Sequence, residues 1–124
     1  MLQYDTIRPD QEFNAFLAKG ELRIQRSRSS GKYVFYPRVF APGTGADDLE
    51  WVPVSGLGTV YSFTVIRPRP PAEPYNVVLV DLDEGARIMS RVDDCDPADL
   101  AIGQRVKAGI VPIDGEPAVV FTPA

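Results

Sequence analysis

Histidine is absent from this chain of 124 residues, and cysteine occurs once, at Cys95. The first absence removes the commonest general base and a frequent metal ligand. The two together exclude histidine-dependent triads and the ordinary zinc sites, which need several thiolates or imidazoles. A lone thiol forms no intramolecular disulfide, in keeping with a reducing compartment. No apolar run approaches the roughly 20 residues of a membrane helix. The opening MLQYDTIRPDQEF is polar and charged, unlike a secretory leader. A soluble, cytoplasmic protein without a membrane partner is expected. Phosphate loops are missing too: GTGADD lacks the lysine and the strand-to-helix setting, and SGLGTV fits neither the P-loop nor the dinucleotide fingerprint.

Charge is scarce on the positive side, with 13 Lys and Arg against 17 Asp and Glu, a net of −4. Residues 1–56 carry seven of each sign, whereas residues 57–124 carry ten acidic and six basic, so the excess lies in the second part. Nucleic-acid binding relies on cations that displace counterions from phosphates, so this balance disfavours it. Single-stranded nucleic-acid binding is kept as the alternative function. A stand-alone hydrolase or lyase is the weakest reading, because only carboxylates and tyrosines remain as acid–base groups.

What is present is one domain's worth of chain, 44% hydrophobic. PDQEFNAFLAK (9–19) predicts a helix. Pro9 suits the first position, Asp10 and Glu12 the positive end of the dipole, and Gly20 the stop. Phe13, Phe16 and Leu17 form its apolar stripe. ELRIQR, KYVFY (32–36) and LEWVPV (49–54) read as short extended pieces. LGTVYSFTVIR (57–67) reads as a long strand with Tyr61, Phe63 and Val65 filling a core. YNVVLVDL (75–82) reads as a strand buried on both sides. Asp83-Glu84-Gly85 turns the chain into ARIMSRV. QRVKAGIV and PAVVFT complete the set around a turn at 113–116, after one helical turn at Pro97–Leu100. Five strands in about 65 residues fit a small Greek-key barrel of the OB type, with a generic six-stranded barrel as competitor.

Two local clusters carry little chemistry. Asp93, Asp94, Asp96 and Asp99 lack the spacing and closing glutamate of a calcium loop and read as a solvated turn. Cys95 stands among those carboxylates, which disfavour a thiolate.

The order FNAFLAKGELRIQR, S-x-x-S-G, YPR, WVPVSGLGTVYSFTVI, PYNVVLVDLDEGARI and IGQRVKA resembles the zinc-ribbon plus OB-fold proteins associated with acyl-CoA enzymes, from about Phe13 to the C-terminus. That resemblance implies a mainly β protein: an N-terminal helix segment (1–20), a rubredoxin-like ribbon (21–54) and a five-stranded OB barrel (55–124). In that family the ribbon is Cys-x-x-Cys-Gly, a tyrosine and proline-arginine segment, then Cys-x-x-Cys. The four ligand positions fall here on Ser27, Ser30, Ala41 and Thr44, while Gly31, Tyr36, Pro37 and Arg38 keep the accessory pattern. Hydroxyls are poor zinc ligands and a methyl group is none, so a degenerate, metal-free ribbon with no zinc cofactor is expected.

Family members are small partners of thiolase-like enzymes or hot-dog-fold hydratases. The resemblance therefore implies a non-catalytic accessory subunit, with Tyr33, Tyr36, Pro37, Arg38 and Trp51 at the partner interface. Arg67 and Arg69, in the stiff loop RPRPPAEP, are the candidate contacts to the phosphates of an acyl-CoA thioester.

Overall fold

The computed structural model describes residues 9–124. The part of the predicted N-terminal segment before Pro9 lies outside the described residues. Helix α1 (Pro9–Ala18) carries Asp10 and Glu12 in its first turn and buries Leu17. Its end is closed by Lys19 and Gly20, whose N–H groups reach the carbonyls of Phe16 and Leu17, with Gly20 at φ +79°.

A first sheet of three antiparallel strands follows, in the order β2–β1–β3: β1 (Arg23–Ser27), β2 (Tyr33–Val34) and β3 (Leu49–Pro53). The second sheet has five strands: β4 (Leu57–Ile66), β5 (Tyr75–Leu82), β6 (Arg87–Ser90), β7 (Arg105–Ile113) and β8 (Glu116–Pro123). Its order, β6–β5–β4–β7–β8, leaves β6 and β8 as edges. The chain just beyond β6 brings those edges together. Val92 bridges Phe121 in parallel, Phe121 N–H donates to Arg91 C=O at 2.9 Å, and Asp93 N–H donates to Phe121 C=O at 2.8 Å. A five-stranded sheet closed in this way is an OB-type barrel. The 3₁₀ turn Pro97–Asp99, capped by Asp96, sets Leu100 into the barrel core.

Ile24 of β1 belongs to the same buried cluster as Val60, Val78, Val80, Ile88, Val106 and Phe121, and Tyr33, Phe35 and Val54 pack against it. The small sheet therefore shares the barrel's core. This matters because three short strands bury too little apolar area to stand alone.

Two strand expectations need correction. Tyr61 was expected inside the barrel with Phe63 and Val65; it is 51% exposed, and Val60 is the core residue at 1%. The cause is a register shift between Val60 and Ser62. A bulge places two residues opposite one and exchanges the faces of the strand, so Gly58 and Val60 point inward before it and Phe63 after it. In β5 only Asn76, Val78, Val80 and Leu82 are buried, alternating with half-exposed Val77, Leu79 and Asp81. A barrel strand has one face outside, even where the sequence there is apolar.

Gly58 is required by close approach. A Cβ there would stand 2.6 Å from Val80 Cγ1 and 2.8 Å from the Asp81 carbonyl oxygen. The second contact is backbone and cannot swing aside, so Gly58→Ala is expected to destabilise the barrel by roughly 1–3 kcal/mol, read as a drop in the urea midpoint at unchanged slope.

Candidate functional site

The two predicted knuckles are built alike. Gly31 N–H donates to Ser27 C=O at 2.8 Å, and Gly45 N–H donates to Ala41 C=O at 2.9 Å. Each turn thus spans five residues and ends on a glycine of positive φ, +73° at Gly31 and +71° at Gly45. The four positions aligned with ligands fall within these turns. Ser27 is buried (1% exposed), Ala41 is buried (5%), and Ser30 and Thr44 are exposed.

Asp48, arriving just before β3, fills the first knuckle. Its carboxylate accepts from Ser27 Oγ at 2.9 Å and from Ser29 N–H at 2.6 Å, and Ser27 Oγ lies 3.2 Å from Ser29 Oγ. Hydrogen bonding from Ser29 and then Ser27 holds the Asp48 carboxyl below the ordinary aspartate range. A depressed folded pKa gives a contribution that is complete above the unfolded value, about 3.9, and is lost as pH falls through the lower folded value. Asp83 is depressed as well, by Arg105, whose guanidinium meets it at 2.7 and 2.8 Å. Asp48→Asn is therefore expected to flatten the acid limb of unfolding followed by Trp51 fluorescence, and Asp83→Asn to flatten it as well, because both sheets share one core.

A second internal tie fixes the segment after β2. The buried Gln25 carboxamide donates to Arg38 C=O at 2.6 Å and accepts from Arg38 N–H. This clamp orients the Tyr36–Pro37–Arg38 stretch without using any of its side chains. Tyr36 is 55% exposed and its ring lies 4.8 Å from that of Phe35. Pro37 is half-buried and Arg38 exposed. Tyr33 is half-buried under the Arg26 guanidinium, 5.7 Å from its ring centre. Trp51 packs against Phe16 at 5.2 Å and Phe13 at 6.3 Å, and its Nε1–H points to Glu12 at 3.4 Å. Of the five residues expected at an interface, Tyr36 and Arg38 thus present their side chains most fully, while Trp51 also couples α1 to the small sheet.

Arg67 and Arg69 lie exposed in the β4–β5 connection, and neither has a side-chain partner among the described residues. They do not share a cleft with Tyr33 and Arg38. Those two line a separate cleft of about 260 Å³, between the small sheet and the β5–β6 turn, together with Lys32, Phe35, Pro42 and Arg87. A larger groove of about 340 Å³, walled by Leu22, Val54, Gly56, Ala108 and Ile110, carries no charged side chain. Sequence reasoning missed Asp48 and Gln25 because their partners are distant in sequence, and Lys32 and Arg87 because only the fold brings them to one cleft. Among the described residues, no three His, Cys, Asp or Glu side chains converge as a metal cluster, and no helix is long and apolar enough to cross a membrane.

Residues 51–111 match the family described as the ChsH2 C-terminal OB-fold domain. The match begins in β3 and ends in β7, so it covers most of the barrel. Over 94% of its length the chain also superposes on the solved structure of an "Ltp2-ChsH2(DUF35) aldolase", with a TM-score of 0.81 and 29% identity, covering 95% of that chain. A DUF35-family structure from Sulfolobus solfataricus shares the fold, with a TM-score of 0.70 at 14% identity over 98% of this chain and 90% of that one. In sequence, the chain is 33% identical over 67% of its length to a "DUF35 domain-containing scaffold protein" of Methanocaldococcus jannaschii. It is 38% identical over 71% of its length to a "3-oxo-4,17-pregnadiene-20-carboxyl-CoA hydratase alpha subunit" of Mycobacterium tuberculosis. The match spans 62% of the scaffold protein and 29% of the hydratase subunit.

Proposed function

We propose that this chain is a non-catalytic accessory subunit that assembles with a thiolase-like or hot-dog-fold hydratase enzyme in the cytoplasm and helps to position its acyl-CoA substrate. The observation that carries this reading is the near-complete superposition on a chain of the solved structure "Ltp2-ChsH2(DUF35) aldolase", at a TM-score of 0.81. The names of the relatives point the same way, a scaffold protein in one case and a subunit of a CoA-thioester hydratase in another. The chemistry of the chain agrees. Without imidazole, and with its one thiol hydrogen-bonded to the Asp96 carbonyl and to Gln104, it holds no activated nucleophile–base pair among the described residues.

The ribbon, on this reading, works without zinc. Ser27 Oγ is already committed to Asp48, Ala41 offers no donor atom, and a carboxylate with two hydroxyls is a poor match for a metal that favours thiolate and imidazole. Asp48 and the Gln25 clamp supply the local order that a metal supplies elsewhere. Nucleic-acid binding finds little support: Phe63 packs into the barrel, and Arg87 already covers the Tyr61 ring at 3.6 Å.

The test is reconstitution. Purified chain mixed with a thiolase-like enzyme or a hydratase from the same genome is expected to give a stoichiometric complex by light scattering, and Tyr36→Ala with Arg38→Ala is expected to weaken it. Turnover of an acyl-CoA by the isolated chain would overturn the reading, as would failure to bind either enzyme class. One zinc per chain by elemental analysis would refute the metal-free ribbon alone.

A further inference from the structure

The cleft between the small sheet and the β5–β6 turn concentrates positive charge on a chain whose net charge is −4. Three of its lining residues are cations, Lys32, Arg38 and Arg87, and no carboxylate lines it. Lys32 and Arg38 are exposed and their side chains have no hydrogen-bond or ion-pair partner among the described residues. Arg87 is held differently. Its Nε and Nη2 donate to Asp81 at 2.6 and 3.2 Å, and its guanidinium lies 3.6 Å over the Tyr61 ring. The Asp81 pair and the aromatic face fix that guanidinium in position at the edge of the cleft.

We infer that this cleft binds the diphosphate group of a nucleotide. Three cations around one concavity match an anion of more than one charge, and guanidinium groups meet phosphate oxygens through paired N–H bonds. Tyr33 and Phe35 supply apolar walls, which reduce solvent screening beside the charges and offer a surface for a ribose or base. The volume, about 260 Å³, is below the usual range of roughly 300–1,000 Å³ for sites that enclose a drug-sized ligand. The cleft therefore takes a charged group and its attachment rather than a whole cofactor. The inference deepens the accessory-subunit proposal and rests on it for the source of the ligand, since a CoA thioester carries a diphosphate. It moves the phosphate contact from the proline-rich loop to the seam between the two sheets.

Calorimetric titration of the full chain with ADP, inorganic diphosphate and adenosine at low ionic strength tests it. ADP and diphosphate are expected to bind saturably at one site, weakening as salt is added, and adenosine not to bind. Tighter binding of ADP than of diphosphate assigns a nucleotide source, and equal binding assigns free diphosphate; both support the site. Lys32→Ala with Arg38→Ala is expected to lower the affinity roughly tenfold or more, whereas Arg67→Ala with Arg69→Ala changes it less than about twofold. Both pairs are exposed and unpartnered, and a melting curve for each variant verifies folding. Absence of saturable binding by either anion would overturn the inference, as would undiminished binding by the Lys32/Arg38 variant. Complex formation with the enzyme partner is scored separately. A chain that assembles but does not bind diphosphate refutes this site alone, and one that binds diphosphate but assembles with neither enzyme class refutes the accessory role alone.

Discussion

Phe121→Ala is expected to lower the free energy of unfolding by about 3–5 kcal/mol, the range for removing a fully buried aromatic ring. Phe121 is 0% exposed and belongs to the cluster that joins Ile24 of the small sheet to the barrel. Its backbone also forms the parallel bridge to Val92 that brings the barrel edges together. The cavity left by the ring would lie against that bridge, where the neighbours are hydrogen-bonded backbone and cannot collapse inward. The cost therefore falls toward the upper part of the range. Urea unfolding followed by both barrel circular dichroism and Trp51 fluorescence checks it. A single shared transition, moved to lower urea, is expected because both sheets use one core. A shift in the barrel signal with an unmoved Trp51 signal would show that the sheets unfold independently.

Asn76→Leu is expected to cost about 2–4 kcal/mol despite adding apolar volume, because it leaves two backbone groups without partners. The Asn76 carboxamide is buried, donates to Val92 C=O at 2.9 Å and accepts from Val92 N–H at 2.8 Å. It thus caps the peptide next to the barrel seam, where the ladder of β6 has ended. Asn76→Asp separates this role from simple packing. A carboxylate accepts from the N–H but repels the carbonyl oxygen, whereas the protonated acid can donate to it. Burial and that repulsion raise the folded pKa of the new acid above its unfolded value. Stability of Asn76→Asp should therefore be greatest at acid pH and fall as pH rises past about 4, opposite in sign to the Asp48 effect. A variant insensitive to pH from 4 to 7 would show that the clamp contributes little.

Much of the fold was legible because period and punctuation agreed. Pro9, the Phe13–Phe16–Leu17 stripe and Gly20 delimit a helix that runs Pro9–Ala18. The turn at Asp114-Gly115 joins β7 to β8 as expected. The bulge at Tyr61 was not legible, since alternation read through an inserted residue assigns every later side chain to the wrong face or the earlier ones to the wrong core. Asn76 offered a signal, a lone amide in an apolar run, but its partner Val92 is 16 residues away. The first knuckle turn was readable from S-x-x-S-G. That Asp48 fills it, 21 residues from Ser27, was not.

The sequence by itself determined the chemical limits of this protein. A chain without imidazole and with a single thiol cannot build a histidine-dependent triad or a thiolate–imidazole zinc site from these residues, whatever its fold. It also determined the strand inventory, because alternation and turn residues act over neighbours a few positions apart. Only the tertiary structure decided which groups meet. Lys32, Arg38 and Arg87 line one cleft, Asp48 enters a knuckle, and Val92 finds both Asn76 and Phe121. Those pairings are long-range: they are fixed by the closure of the barrel and by a core shared between two sheets, and no local pattern encodes them.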